Sequence, residues 1–303
     1  MAGFQRADSQ EKRSGNDLHE HQRNVRTKKR LPERGLPVPG MRVFFQEIYE
    51  RYHRAEYISP DPLEFLYLYE DPLDREIVGM IASSLAYGRV AQILKSVASV
   101  LKAMGPSPRG FLEEASETSV REAFRGFKHR FTTDRELADL LLGIRDVIRK
   151  HGSLQACFLA GISPRDEDVL PALSVFVREL GMRGCGDYNS LISIPEKKSA
   201  CKRLNLFLRW MTRSDEIDPG CWTCVSPAKL IVPLDTHMYR ICTVLGMTSR
   251  SQADMRTARE ITDGFKKIDK SDPVRYDFSL TRLGIRKVGE LSSLVGRYTG
   301  RTA

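Results

Sequence analysis

"VPLDTHMYRICTVLGM", residues 232–247, decides how the chain is read. Asp235 follows a Pro-Leu pair and precedes Thr-His and an amphipathic run. An aspartate in that place caps a helix. Its carboxylate accepts the free N–H groups of the first turn and suits the positive end of the helix dipole. Met238, Ile241, Cys242, Leu245 and Met247 then form an apolar stripe at helical spacing. A helix therefore starts here, and what remains open is whether its cap also does chemistry.

The same period runs outward in both directions. Apolar residues fall at 44, 45, 48, 49 and 52. "SPDPLEFLYLYEDPLD" (59–74) places prolines at helix-start positions. Ile77, Ile81 and Leu85, then Ile93, Val97, Val100, Leu101 and Met104, predict two helices with a turn at Gly88. Residues 133–150 predict a strongly amphipathic helix capped by Thr133. Further helices are expected over 166–181, 199–213, 235–246, 253–268 and 272–284. Period-2 alternation is scarce, so strands should be few. The expected fold class is all-α.

Residues 1–40 are polar and basic, with "RNVRTKKR" at 23–30, and predict a disordered tail. Ordered sequence is expected from Met41, which could itself be the start of translation. The chain has 303 residues and is 41% hydrophobic, enough for a sizeable core. No apolar run approaches the ~20 residues that cross a bilayer, and no secretory leader is expected. Six scattered cysteines do not form a disulfide framework, which points to a reducing cytosol. The single "CWTC" pair (Cys221, Cys224) lacks the partners of a zinc site, and a four-cysteine iron–sulfur pattern is absent. No metal or other cofactor is expected. The net charge of +9 favours polyanionic partners.

"SACKRLNLFLRWM" (199–211) is the second informative stretch. Ser199 is the expected cap, which puts Lys202 in the first turn, with Leu204, Phe207, Leu208 and Met211 facing the core. A lysine is oddly placed at the positive end of a helix. Lys197, Lys198, Arg203 and Arg209 lie close by in sequence. Cationic neighbours and partial burial favour a neutral amine, the form that acts as a nucleophile. A solvated lysine in a basic patch is the plain alternative.

Taken in order, these stretches resemble the helix-hairpin-helix DNA glycosylases, endonuclease III-like members above all. "LDTHMYR" (234–240) matches that superfamily's "VDTHxxR", and "ACKRLNLFLR" (200–209) matches "GRKTANVVLN". "MIASSLAYGRVAQI" (80–93) stands where the family has its "LLSAQAT"-like turn. The likeness covers most of 72–284. It departs at the hairpin, where "IPEKKSA" (194–200) replaces the glycine-bearing "LPGVG", in a longer Lys-to-Asp segment, and in the missing iron–sulfur loop.

The resemblance implies a bilobal helical fold with a central groove and a degenerate hairpin. One lobe would span 72–213, the other 41–71 plus 214–303, within a domain of residues 41–303. It implies a base-excision glycosylase acting on damaged duplex DNA, as a monomer, in the cytoplasm at the nucleoid. Lys202 would attack the sugar C1′ and go on to strand elimination. Asp235 would stabilise the cationic sugar. Should Lys202 be misaligned, Lys197 or Lys198 would take its place. Tyr87, Gly88 and Arg89 would fill the gap left by the flipped base, or simply form a tight inter-helix turn. Ser199, Ala200 and Cys201 would offer backbone N–H groups to a phosphate, and Arg203 would also meet DNA. His237 would contact phosphate or fix the local turn, and Arg240 would reach DNA or an internal acidic partner. An Asp277–Arg282 pair is expected on the last helix. Two other functions remain open: DNA or RNA binding without cleavage, and a metal-dependent nuclease using Asp235 and His237.

Overall fold

Prolines, capping side chains and left-handed turns punctuate the chain into short helices. The computed structural model describes residues 38–181 and 189–286. The expected tail up to residue 37 and the basic cluster within it lie outside the described residues. The helices are α1 Val38–Tyr52, α2 Pro72–Ser84, α3 Val90–Met104, α4 Pro108–Glu114, α5 Glu117–Ala123, α6 Asp134–His151, α7 Leu154–Ala160, α8 Leu170–Leu180, α9 Lys202–Thr212, α10 Thr236–Val244, α11 Met255–Lys266 and α12 Asp277–Arg286. The one sheet among the described residues is a hairpin of β1 Lys128–His129 and β2 Thr132–Thr133. The fold class is all-α.

Local chemistry explains most boundaries. Asp71 caps α2 through Leu73 N–H, with Pro72 at its first position. Thr133 and Glu136 close a reciprocal capping box on α6, and Gly152 ends that helix with φ +86°. Gly88 makes the predicted turn between α2 and α3 with φ +100°. The first helix starts at Val38, three residues before the expected Met41, because a proline such as Pro39 is tolerated in a first turn. It stops at Tyr52, and Ala55–Tyr57 form a separate 3-10 turn. Pro62–Leu68 is also 3-10, capped by Asp61.

The expected apolar stripes are the core. Phe44, Phe45, Ile77, Ile81, Val97, Phe207, Leu208, Met238 and Cys242 are buried. The described residues fall within one compact unit. Within it α2 packs on α9, and α12 packs on both α1 and α10. Glu76, at 1% exposure, ties three elements together. Its carboxylate accepts the N–H groups of Leu154 and Gln155 at the start of α7, and the indole N–H of Trp222, at 2.7, 3.0 and 3.0 Å. A negative charge suits that helix terminus. Burial still pushes its carboxyl above the usual range.

Candidate active site

Lys202 and Asp235 stand at the starts of two helices, α9 and α10, and their side chains converge. Lys202 Nζ lies 4.0 Å from Asp235 Oδ2, an ion-pair distance. The two side chains are 33% and 23% exposed, so both are reachable from solvent. Asp235 is also the predicted cap: Oδ1 accepts Met238 N–H at 2.8 Å. One oxygen of the carboxylate holds the helix while the other faces the lysine.

The start of α9 differs from expectation. Ser199 does not cap it; its Oγ accepts Cys201 N–H at 3.3 Å, and its backbone bridges Asp254. Cys201 takes the cap position with φ +48°, and Lys198 has φ +63°. These left-handed residues turn the chain so sharply that Lys202 becomes the first helical residue. They stand where the glycine-bearing hairpin was missing from the sequence, after a 3-10 turn at Pro195–Lys197. Lys197 and Lys198 are exposed.

A small cleft of about 70 Å³ opens beside the pair, lined also by Trp210, Asp277, Phe278 and Arg282. Asp277 does not pair with Arg282 as expected. Five residues apart on a helix, the two point in different directions. Asp277 Oδ2 instead accepts from Arg209 Nη1 at 2.5 Å, and Arg282 donates to Asp61 at 2.6 Å while lying over the Phe278 ring. Complete burial pushes the Asp277 carboxyl up to about 6 against the pull of Arg209, and the nearby Asp235 adds to the rise. Arg209 donates its other edge to Asp218 at 2.9 and 3.1 Å. Arg213 also bonds Asp218, and pairs with Asp215 and Asp272. Asp215 is held well below the ordinary carboxylate range by His53, Arg213 and two backbone N–H groups, although burial opposes them. Trp210 Nε1 and Arg282 Nε are buried donors with no hydrogen-bond partner among the described residues. Sequence reading missed Asp61 and Trp210 as lining of the cleft. A larger open groove, about 630 Å³ between α5 and the start of α6, is edged by paired charges such as Arg121 and Glu117.

The other predicted residues fall into two places. Tyr87, exposed Gly88 and exposed Arg89 form the α2–α3 turn. Arg203 reaches them: its guanidinium lies 5.0 Å from the Tyr87 ring and donates to the carbonyls of Ser84 and Ser190 at 2.7 and 2.6 Å. His237 is half-buried and Arg240 exposed, both on α10 beyond Asp235. Among the described residues no three His, Cys, Asp or Glu side chains converge as a metal-ligand set. Cys221 packs its Sγ 3.5 Å from Met211 Sδ, and burial pushes its thiol up to about 12; Cys224 is exposed. No described helix is long and apolar enough to cross a membrane.

Against known families, residues 61–286 match the family described as "Protein of unknown function (DUF2400)". The chain belongs to DUF2400. That match runs from Asp61 to the end of α12 and so includes every residue of the Lys202–Asp235 cleft named above. No curated protein and no solved structure matches the chain.

Proposed function

We propose that this protein is a DNA base-excision glycosylase with lyase activity. The observation that carries the reading is the approach of Lys202 Nζ to Asp235 Oδ2 at the mouth of a cleft. An amine and a carboxylate so placed suit attack on an acetal-like carbon that becomes cationic as its bond breaks. The damaged nucleotide leaves the stack, which costs a few kcal/mol and least at a lesion. The Lys202 lone pair bonds to C1′. The C1′–N bond breaks, and its electron pair leaves with the base, which takes a proton. The carboxylate of Asp235, fixed by Met238 N–H, stabilises the positive charge on the sugar. Opening of the sugar ring gives a Schiff base between Lys202 and C1′. Loss of a C2′ proton then expels the 3′ phosphate. The net charge of +9 fits a polyanionic substrate. In this reading the protein acts as a monomer on duplex DNA, in the cytoplasm at the nucleoid.

The test is borohydride trapping on duplexes carrying oxidised, deaminated, alkylated or abasic sites. Hydride reduces the C=N bond and leaves a covalent protein–DNA band. The expected result is a band with wild type and none with Lys202→Ala. A band that survives Lys202→Ala, or base release that persists in Asp235→Asn, removes those residues from the mechanism. DNA binding with neither trapping nor base release makes the protein a binder on this scaffold.

A further inference from the structure

The β1–β2 hairpin carries a feature that the proposed chemistry does not use. Its two-residue turn is Arg130-Phe131, with Arg130 at φ +55°. Phe131 is 59% exposed. Its ring does not stand alone: it stacks on Tyr87 with centroids 5.0 Å apart and planes at 26°. Tyr87 in turn lies under the Arg203 guanidinium. The Arg130 guanidinium sits 6.0 Å from both rings. Arg130 lies across Gly88, where an added Cβ would come within 2.8 Å of its Cδ. Lys128 and Arg89 are also exposed on these turns. The surface is thus an exposed aromatic ring with Arg130 beside it, on turns that also carry Lys128 and Arg89.

The mount beneath it is rigid. The Tyr87 hydroxyl donates to the His129 carbonyl at 2.9 Å and lies 2.5 Å from Thr132 Oγ1. Thr132 Oγ1 bonds Ser190 Oγ at 2.5 Å. His129 is fully buried, with Nε2 at 3.0 Å from the Tyr87 carbonyl and Nδ1 at 2.9 Å from Ser96 Oγ. The carbonyl can only accept, so Nε2 carries the proton and Nδ1 accepts from the serine. Burial and two nearby arginines lower the proton affinity of His129, which keeps the ring neutral and this tautomer in place.

We infer that Phe131 is a stacking platform for an unpaired nucleobase of a DNA strand whose phosphates lie against Arg130, Lys128 and Arg89. It rests on the reading of DNA as the partner given above, and it adds a residue outside the cleft to that reading. The aromatic face supplies stacking, which every base offers. The cations supply phosphate contact, and the fixed hairpin removes the ordering cost of presenting the ring. Lys202 and Arg203 are adjacent in the chain, one in the cleft and one on Tyr87. The start of α9 therefore joins the platform to the proposed nucleophile.

The experiment uses the full chain and a duplex with 2-aminopurine opposite a tetrahydrofuran abasic analogue, which cannot be cleaved. Binding is followed by anisotropy, and stacking by quenching of 2-aminopurine. Wild type should quench the probe. Phe131→Ala should lose quenching and weaken binding about 5-fold to 150-fold. Phe131→Trp should keep both, and Arg130→Gln should reduce the salt slope by about 1. Melting temperatures of the variants close to wild type establish that the fold is intact. Equal quenching and affinity in wild type and Phe131→Ala, or no binding of this probe at all, overturns the inference. The chemistry is read separately. Trapping at Lys202 with no Phe131 effect sinks the platform alone. Phe131-dependent quenching without trapping sinks the glycosylase reading alone.

Discussion

Asp235 caps α10 and, in the proposed mechanism, also serves the chemistry; two substitutions separate the two roles. Asparagine caps helices about as well as aspartate, whereas alanine gives up about 1 kcal/mol at such a position. Asp235→Asn should therefore melt near wild type and lose base release. Asp235→Ala should lose base release and also about 0.5–2 kcal/mol of stability in urea titration. If Asp235→Asn retained full activity with an unchanged melt, the carboxylate would be a cap and nothing more. Lys202→Arg completes the set. It leaves a guanidinium near Asp235 and offers no neutral amine, so the trapped band should vanish.

At the scale of elements, the β1–β2 hairpin gives a pH signature. His129 binds protons less readily than an ordinary imidazole because it is buried. The native state then holds fewer protons than the unfolded chain below about pH 6.5, so this contribution to stability is lost as pH falls through that region. Asp277 works in the opposite sense. Its carboxyl is raised to about 6, so its contribution is present near pH 4 and is lost as pH rises through about 6. Wild type and His129→Asn melted between pH 5 and 8 should separate the two. The variant should start lower at pH 8 and fall less on acidification. Parallel curves would remove His129 from the pH response.

Elements also show what was legible in the sequence. The caps Thr133 and Asp235 and the stripes of α2, α3 and α6 were readable because helix signals are local. The helices α4, α5 and α7 have seven residues each, too few for two full turns of periodicity, and were not foreseen. Ser199 looked like a cap, but left-handed Lys198 and Cys201 displaced the start of α9. Non-glycine residues give no sign of such a backbone in advance. The convergence of Lys202 and Asp235 was expected only through a family resemblance. Arg282 with Asp61, and Phe131 with Tyr87, join residues far apart in the chain, and no local pattern announces them.

For the whole molecule, the fixed points include buried charges and a close backbone approach on α6. Asp218 is fully buried between Arg209 and Arg213. Asp218→Ala leaves two guanidiniums short of a counter-charge and should cost about 3–5 kcal/mol. A urea midpoint within experimental error of wild type would show that the network carries no such load. Gly143 is the close approach: a Cβ there would meet the Leu180 carbonyl oxygen, so α6 and the end of α8 touch backbone to backbone. Gly143→Ala should destabilise by about 1–3 kcal/mol through displacement of that contact.

Arg209 stands on α9, two turns from Lys202, and Asp277 stands on α12, which packs against the helix of Asp235. The separation of the candidate pair is thus inherited from an ion pair sealed away from solvent at 5% exposure on either side. Dissolved ions screen exposed charges, with a Debye length of about 3 Å at 1 M, but reach sealed ones little. Concentrated salt should release a bound polyanion and leave the two helix starts where they are. If DNA is the partner, as proposed, an ionic-strength series reports its contact with the exposed charges, and a brine wash would strip it from an intact fold.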